Sequence, residues 1–151
     1  GLRWHLRAFW RRRRWHATSQ QIAGWLQDTQ PVHRQLLLIG GSAGWMMSGR
    51  WLQRFERIVL VDIDPHAAWL FRVNHGRSLR AAGTGLEFVR ADGLAGLDEL
   101  LAEQPHASVF FDNVLGQHLY RVRELDRAER ELGQIAARLA GPYRLWPVGI
   151  A

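Results

Sequence analysis

Small and acidic residues follow several short apolar runs in this sequence, and both their side chains and their backbone could do chemistry. Residues 40–44 (GGSAG) follow the first run. Glycine lets a backbone approach a ligand closely, and a helix starting there presents free N–H groups. Asp62 lies 22 residues after Gly40, the spacing at which a carboxylate can bind the ribose hydroxyls of an adenosine-type cofactor. Together these features predict a nucleotide site.

Two later turns place further carboxylates after apolar runs. The third run ends at Asp92-Gly93 and the fourth at Asp112-Asn113. Each aspartate also has a structural explanation, because Asp commonly caps a helix or starts a turn after a strand. The glycines could likewise serve a tight turn or close helix packing. Their joint placement favours ligand binding over these explanations.

Short strands alternating with helices must position these residues. Apolar runs predict strands at 36–39, 58–61, 86–89, 108–111 and 143–148. Periodicity and stop signals predict helices at about 43–55, 64–76, 97–103 and 119–139, the second one capped by Asp64 and ended by Gly76. This alternation is typical of an α/β protein with an open parallel sheet of about five strands. Ligands of such sheets bind beyond the carboxyl ends of the strands, where the polar turns lie.

Four segments resemble the motifs of class I S-adenosylmethionine-dependent methyltransferases. Residues 36–44 (LLLIGGSAG) are similar to the first motif, and residues 58–65 (IVLVDIDP) to the second, whose acid is Asp62. Residues 90–93 (RADG) and 110–116 (FFDNVLG) occupy the places of the third and fourth.

The resemblance implies a Rossmann-like fold, S-adenosylmethionine as cofactor, and transfer of its methyl group without a metal. It places Asp62 on the ribose, Asp92 near the adenine amino group, and Asp112 and Asn113 at the acceptor site as the catalytic candidates. The implied cofactor-binding residues are Gly40, Gly41, Ser42, Gly44, Asp62, Ile63, Asp92 and Gly93. Since the family sheet has seven strands and five are predicted here, we expect a truncated version of that fold.

The N-terminal segment differs in composition from the rest of the chain. Residues 1–35 hold seven arginines and one acidic residue, whereas the remaining residues hold 13 of each. We therefore expect a basic helical segment at 1–35, with a helix at about 18–27 packing across the binding domain at 36–151. Arg11, Arg12, Arg13 and Arg14, flanked by tryptophans, could bind nucleic-acid phosphates or an anionic membrane surface, or form a solvated face.

Composition excludes some classes of function and leaves others open. The chain has no cysteine, which excludes disulfides and cysteine nucleophiles. No apolar run approaches the roughly 20 residues of a membrane span, and no signal peptide is recognisable, so a cytoplasmic location is expected.

Asp112, His118 and Tyr120 are the candidates for a general base. The alternatives to a methyltransferase are a non-catalytic binding or assembly module that forms a homo-oligomer, a spermidine synthase-like aminopropyltransferase, and an NAD-dependent enzyme.

Overall fold

Four parallel strands form one open sheet, and helices pack on both of its faces. The computed structural model describes residue 10, residues 12–112 and residues 114–139. The strands are β1 (Gln35–Ile39), β2 (Arg57–Val61), β3 (Gly85–Val89) and β4 (Ala107–Phe111). The helices are α1 (Arg12–Asp28), α2 (Gly49–Leu52), α3 (Ala67–Ala81), α4 (Leu97–Glu103), α5 (Val114–Val122) and α6 (Leu125–Leu139). None of the helices in these residues is long and apolar enough to cross a membrane.

The strand order is β3-β2-β1-β4, which defines a Rossmann-like α/β arrangement. Leu37 pairs with Val59 on one side and with Val109 on the other. The chain therefore moves outward from β1 to β3 and then returns to the other side of β1, so the direction of winding reverses next to β1. The predicted α/β class and four of the predicted strands are confirmed, whereas the strand predicted at 143–148 lies outside the described residues.

β1 and β2 contain continuous apolar runs because helices cover both faces of the sheet there, whereas the edge strand β3 is only partly buried. Alternate residues point to opposite faces, so Leu36 and Leu38 pack with residues from α1, α2 and α3. Leu37 and Ile39 pack with residues from α4 and α6. All four side chains are at most 1% exposed. Burying each of them contributes about 1.5–3 kcal/mol to the free energy of folding. Strand β1 is therefore held firmly in the core, and with it the turn that follows its carboxyl end.

Helix α1 packs on the sheet domain, as the N-terminal pattern predicts. Leu26 is fully buried in the core, and Ile22 and Trp25 pack against the same cluster. The guanidinium group of Arg54 donates to the backbone carbonyls of Gln27 at 2.8 Å and Thr29 at 3.0 Å. The end of α1 is therefore fixed to the domain by hydrogen bonds as well as by apolar contacts. The helix is longer than the predicted 18–27.

The helix predicted at 43–55 is wrong over most of its length. The chain makes turns after β1, and only α2 is helical there. Gly44 has a φ of +67°, which ends any helical path at that point. Helix α2 begins instead at Gly49 and is capped by Ser48, whose side-chain oxygen accepts from the Trp51 N–H at 3.1 Å. The apolar periodicity of this segment reflects packing of turns on the core.

The predicted bounds of α3 are also wrong at both ends. Asp64 accepts from the His66 N–H at 2.9 Å in a turn before the helix, which begins at Ala67 and runs past Gly76. Gly76 is buried within the helix, where an added Cβ would make only an ordinary contact, 3.6 Å from Arg72 Cβ. The stop is Gly83, whose φ of +73° provides the left-handed residue that ends a helix.

The single helix predicted at 119–139 is two helices. The chain breaks between α5 and α6 at Arg123, which has a φ of 59°. No glycine or proline marks this break, so the sequence pattern cannot show it. Apolar residues repeat every three or four positions along α6, and of these Ala128, Ile135 and Leu139 are buried, whereas Leu125 is 56% exposed.

Candidate functional site

The carboxyl edge of the sheet, where the strands end, carries Gly40, Asp62 and Asp112, each directly after the last residue of its strand. Their backbone N–H groups donate to the last residues of neighbouring strands at 2.8, 3.2 and 2.9 Å. The ladders thus extend one residue beyond β1, β2 and β4. Since β1 lies between β2 and β4, Asp62 and Asp112 flank Gly40, two strand spacings or about 10 Å apart. We call Gly40, Asp62 and Asp112, with the turns that follow them, the carboxylate rim.

The Asp62 carboxylate joins the turn after β1 to the turn after β2. One oxygen accepts from the Ser42 N–H at 2.9 Å, and the other accepts from the Asp64 N–H at 2.8 Å. The residue is 9% exposed. An ionised carboxylate has about four acceptor positions, so two backbone donors leave capacity for further hydroxyl or amine donors. Asp62 and the glycine-rich turn therefore lie together, at one end of the sheet.

The glycine-rich turn has a left-handed backbone at three positions. The φ angles are +73° at Gly40, 48° at Ser42 and +67° at Gly44. A Cβ at Gly40 would overlap Val114 Cγ2, and a Cβ at Gly44 would lie 2.7 Å from His75 Nε2. Both glycines are thus required by the protein's own packing. The glycines by themselves give no indication of a ligand.

The two other predicted glycines also pack tightly against the sheet. A Cβ at Gly41 would lie 2.7 Å from Leu38 side-chain atoms, and one at Gly93 would overlap Ile39 Cγ2. Asp92 uses one carboxylate oxygen to accept from the N–H groups of the following turn, at 3.1 and 3.4 Å. Asp92 therefore forms the turn that follows β3, and its contact with adenine stays a prediction.

Ile63 presents apolar surface beside Asp62. Its side chain is 66% exposed, although most branched aliphatic residues of this chain are buried. An exposed isoleucine next to a buried carboxylate combines an apolar surface with a hydrogen-bond acceptor. That combination suits a flat, partly apolar ligand that also carries hydroxyl groups.

Asp112 is half-buried at the end of β4. Burial and, to a lesser extent, the charge of Asp62 across β1 together raise the pKa of its carboxyl to about 7. The group can therefore hold or release a proton near neutral pH, which is the property of a general base or acid. Asn113, its predicted partner at the acceptor site, lies outside the described residues.

The other two candidate bases lie on α5. His118 is 8% exposed, and its Nε2 lies 2.7 Å from Glu131 Oε2 on α6. This contact fastens α5 to α6 rather than placing the imidazole at the rim. Tyr120 is 80% exposed. Of the three candidates, only Asp112 is a member of the carboxylate rim.

The N-terminal arginines are described only in part. Arg14 is exposed on α1. Arg11 lies outside the described residues, as do the side chains of Arg12 and Arg13. Nucleic-acid or membrane binding by this segment stays a prediction.

Two residues of α3 contact the glycine-rich turn and were missed from the sequence. Asn74 Nδ2 donates to the Ala43 carbonyl at 2.7 Å, and His75 Nε2 lies 2.9 Å from the Gly44 carbonyl. The available signal was a histidine spaced four residues from both Phe71 and Leu79, on the buried face of α3, which is easily explained as ordinary packing.

Comparison of the sequence with models of protein families finds no match, and comparison with curated proteins finds none either. The fold and the rim together define a Rossmann-like α/β protein with two carboxylates at the carboxyl edge of its sheet.

Proposed function

We propose that the chain is an S-adenosylmethionine-dependent methyltransferase domain that binds its cofactor at the carboxylate rim. The observation that carries this proposal is the position of Asp62, which lies at the end of β2 and is hydrogen-bonded to the turn after β1. Ligands of open parallel sheets bind beyond the carboxyl ends of the strands where the winding reverses. The rim lies at that place.

The residues present fit an adenosine-type group. Asp62 has acceptor capacity left for the two ribose hydroxyls. Ile63 offers an apolar surface for one face of the adenine ring, and Asp92 would accept from the adenine amino group. The exposed backbone of the glycine-rich turn would hold the methionine part. The chemistry that S-adenosylmethionine supplies when bound is an electrophilic methyl carbon on a sulfonium.

The chain's own residues bind and orient the reactants and move one proton. If the acceptor atom carries a proton, it must release that proton as its bond to the methyl group forms. As a carboxylate, Asp112 takes this proton on a carboxylate oxygen. Because the pKa of Asp112 is raised to about 7, the reactive carboxylate form increases as the pH rises through 7. Turnover with such an acceptor should increase over the same range.

Calorimetry with S-adenosylhomocysteine tests the cofactor site directly. We expect wild-type protein to bind, and Ile63→Ala to bind about fivefold more weakly, since removing apolar contact on one side chain costs about 1 kcal/mol. Val32→Ala is a matched control, because Val32 is 54% exposed just before β1, at the opposite end of the sheet from the rim. Equal affinities for both variants, or no heat with wild-type protein at millimolar ligand, would contradict the proposal.

Asp62→Asn supplies a second variant for the same measurement. It keeps one acceptor oxygen for the turn but loses the charge that strengthens hydrogen bonds to hydroxyl groups. We expect affinity to fall on the order of 10- to 100-fold, as for charge-assisted hydrogen bonds.

Close packing of the glycine-rich turn favours a second candidate. The space above Gly40 is filled by Val114, so the turn is stable without any ligand. A non-catalytic binding or assembly module that keeps the fold would show this packing too. It predicts no binding of S-adenosylhomocysteine and a stable oligomer in light scattering.

A further inference from the structure

Helix α3 contacts the glycine-rich turn through side chains that the proposed mechanism does not use. The turn needs such support because Ser42 has a φ of 48°. A left-handed backbone at a residue other than glycine costs about 1–2 kcal/mol. The surrounding structure must therefore hold it in place.

Hydrogen bonds from two directions supply this support. From β2, Asp62 accepts the Ser42 N–H at 2.9 Å. From α3, Asn74 and His75 bind the next two carbonyl groups of the turn, at 2.7 and 2.9 Å. Ser42 thus lies between an acceptor on the sheet and two donors on the helix.

The chemistry of the contact fixes which nitrogen of His75 carries its proton. A carbonyl oxygen only accepts, so His75 Nε2 must be the donor to the Gly44 carbonyl. The imidazole is 8% exposed, and burial lowers its pKa, so the ring is neutral with its hydrogen on Nε2. The Phe71 ring lies 5.0 Å from it, centroid to centroid, and fixes its orientation.

The same contact explains why residue 44 is glycine. A Cβ there would lie 2.7 Å from His75 Nε2 and 2.8 Å from Phe71 Cε2. Helix α3 therefore approaches the backbone of the turn as closely as glycine allows. The turn and the helix form one packed unit.

We propose that Asn74 and His75 are positioning residues that hold the glycine-rich turn in its left-handed form and so direct the Ser42 N–H at Asp62. Neither side chain needs to touch a ligand. They act by keeping Ser42 and Asp62 in the arrangement that a ligand would meet. The expected effect on ligand affinity rests on the proposed function, whereas the effect on the turn does not.

Hydrogen exchange of the Ser42 amide in the free protein measures the effect on the turn. We expect His75→Leu to speed this exchange about tenfold, because one buried hydrogen bond to the turn is lost. His75→Gln should restore the slow rate, since its Nε2 stands the same number of bonds from the backbone. Asn74→Ala should speed the exchange as well.

Leu79→Ala controls for general loosening of the helix. Leu79 is 1% exposed on α3, one turn after His75, and has no part in the contacts of the turn. It should destabilise the protein at least as much as His75→Leu does. After correction for global stability, its Ser42 exchange should match that of the wild type. Equal acceleration in the two variants would overturn the proposal.

Affinity for S-adenosylhomocysteine provides the second measurement. We expect His75→Leu to bind about tenfold more weakly, His75→Gln to bind almost as the wild type does, and Leu79→Ala to be unchanged. Equal weakening in His75→Leu and Leu79→Ala would refute positioning. If the wild type itself fails to bind, the proposed function fails, and the exchange rates alone then decide whether His75 positions the turn.

Discussion

Replacing Asp112 by asparagine should make the protein more stable at alkaline pH and leave its stability unchanged in acid. The folded protein raises the pKa of this carboxyl from 3.8 to about 7, mainly because burial disfavours the charge and also because Asp62 is nearby. A raised carboxyl pKa means that the folded state retains a proton that the unfolded chain has released. Wild-type stability from this group is therefore fully present below about pH 4 and is lost as the pH rises to about 7.

The size of the effect follows from the shift in pKa. About three units at 1.36 kcal/mol each give an upper limit of roughly 4 kcal/mol. Asparagine resembles the protonated carboxyl in shape and carries no charge at any pH. The difference in unfolding free energy between Asp112→Asn and wild type should thus be near zero at pH 4. It should grow to roughly 2–4 kcal/mol at pH 8, because solvent reduces the full value.

Urea unfolding followed by tryptophan fluorescence can measure this difference, because Trp51 is fully buried in the core. Titrating groups distant from Asp112 contribute equally to both proteins and cancel in the comparison. Asp126→Asn, at an exposed position in the first turn of α6, supplies the control for removing a carboxylate at the surface. In an Asp62→Asn background the gain from Asp112→Asn should shrink but persist, since burial is the larger cause of the shift.

A difference that stays flat from pH 4 to 8 would refute this reasoning. It would mean that the Asp112 carboxyl is solvated in the folded protein and does not retain its proton near neutral pH. The proposed assignment of Asp112 as the proton acceptor would then be wrong as well.

Three further substitutions test the backbone and packing described above. Gly40→Ala should lower the free energy of unfolding in urea by about 2–4 kcal/mol, because it combines a positive φ with overlap of Val114. Gly83→Ala has the same φ but open space around the added Cβ, so it should lower the free energy of unfolding by only about 1 kcal/mol. Equal losses in the two variants would argue against the overlap with Val114. Arg123→Gly should stabilise by up to about 1 kcal/mol by relieving its left-handed φ, a gain that Arg123→Ala should not give. Arg54→Met should expose α1 to limited proteolysis and lower the unfolding free energy by about 1–3 kcal/mol; unchanged cleavage would show that apolar packing alone holds the helix.

The strands could be predicted from the sequence, but the bounds of most helices could not. β1, β2 and β4 are short runs rich in branched and aromatic residues that are buried on both faces, so local composition determines them, whereas the edge strand β3 is only partly buried. The turn after β1 depends instead on tertiary contacts, because Ser42 adopts a left-handed backbone only with Asp62 and α3 around it. Arg123 similarly breaks a helical pattern at a point that no glycine or proline marks. Helix α4 was predicted at its observed bounds.

The candidate site divides in the same way. The position of Asp62 follows from topology, since parallel strands bring their carboxyl ends to one edge. The contacts of Asn74 and His75 depend on how α3 is rotated over the turn, which no sequence spacing shows. The raised pKa of Asp112 arises from burial and from a charge on a strand that is not adjacent to β4. Such a property can be read only from the assembled sheet.

The two rim carboxylates differ in what surrounds them, and that difference assigns them different tasks. Asp62 has each oxygen occupied by a backbone N–H of a turn, so any change of its charge disturbs both turns. A group fixed in this way is suited to holding a ligand. Asp112 changes its protonation near neutral pH, so it is suited to moving a proton. Under the proposed function, Asp62→Asn should therefore weaken cofactor binding at every pH, whereas Asp112→Asn should leave binding nearly intact and remove the rise of turnover through pH 7. If Asp62→Asn instead removed the rise of turnover, or Asp112→Asn weakened binding at every pH, the ligand and the transferred proton would be bound by other residues.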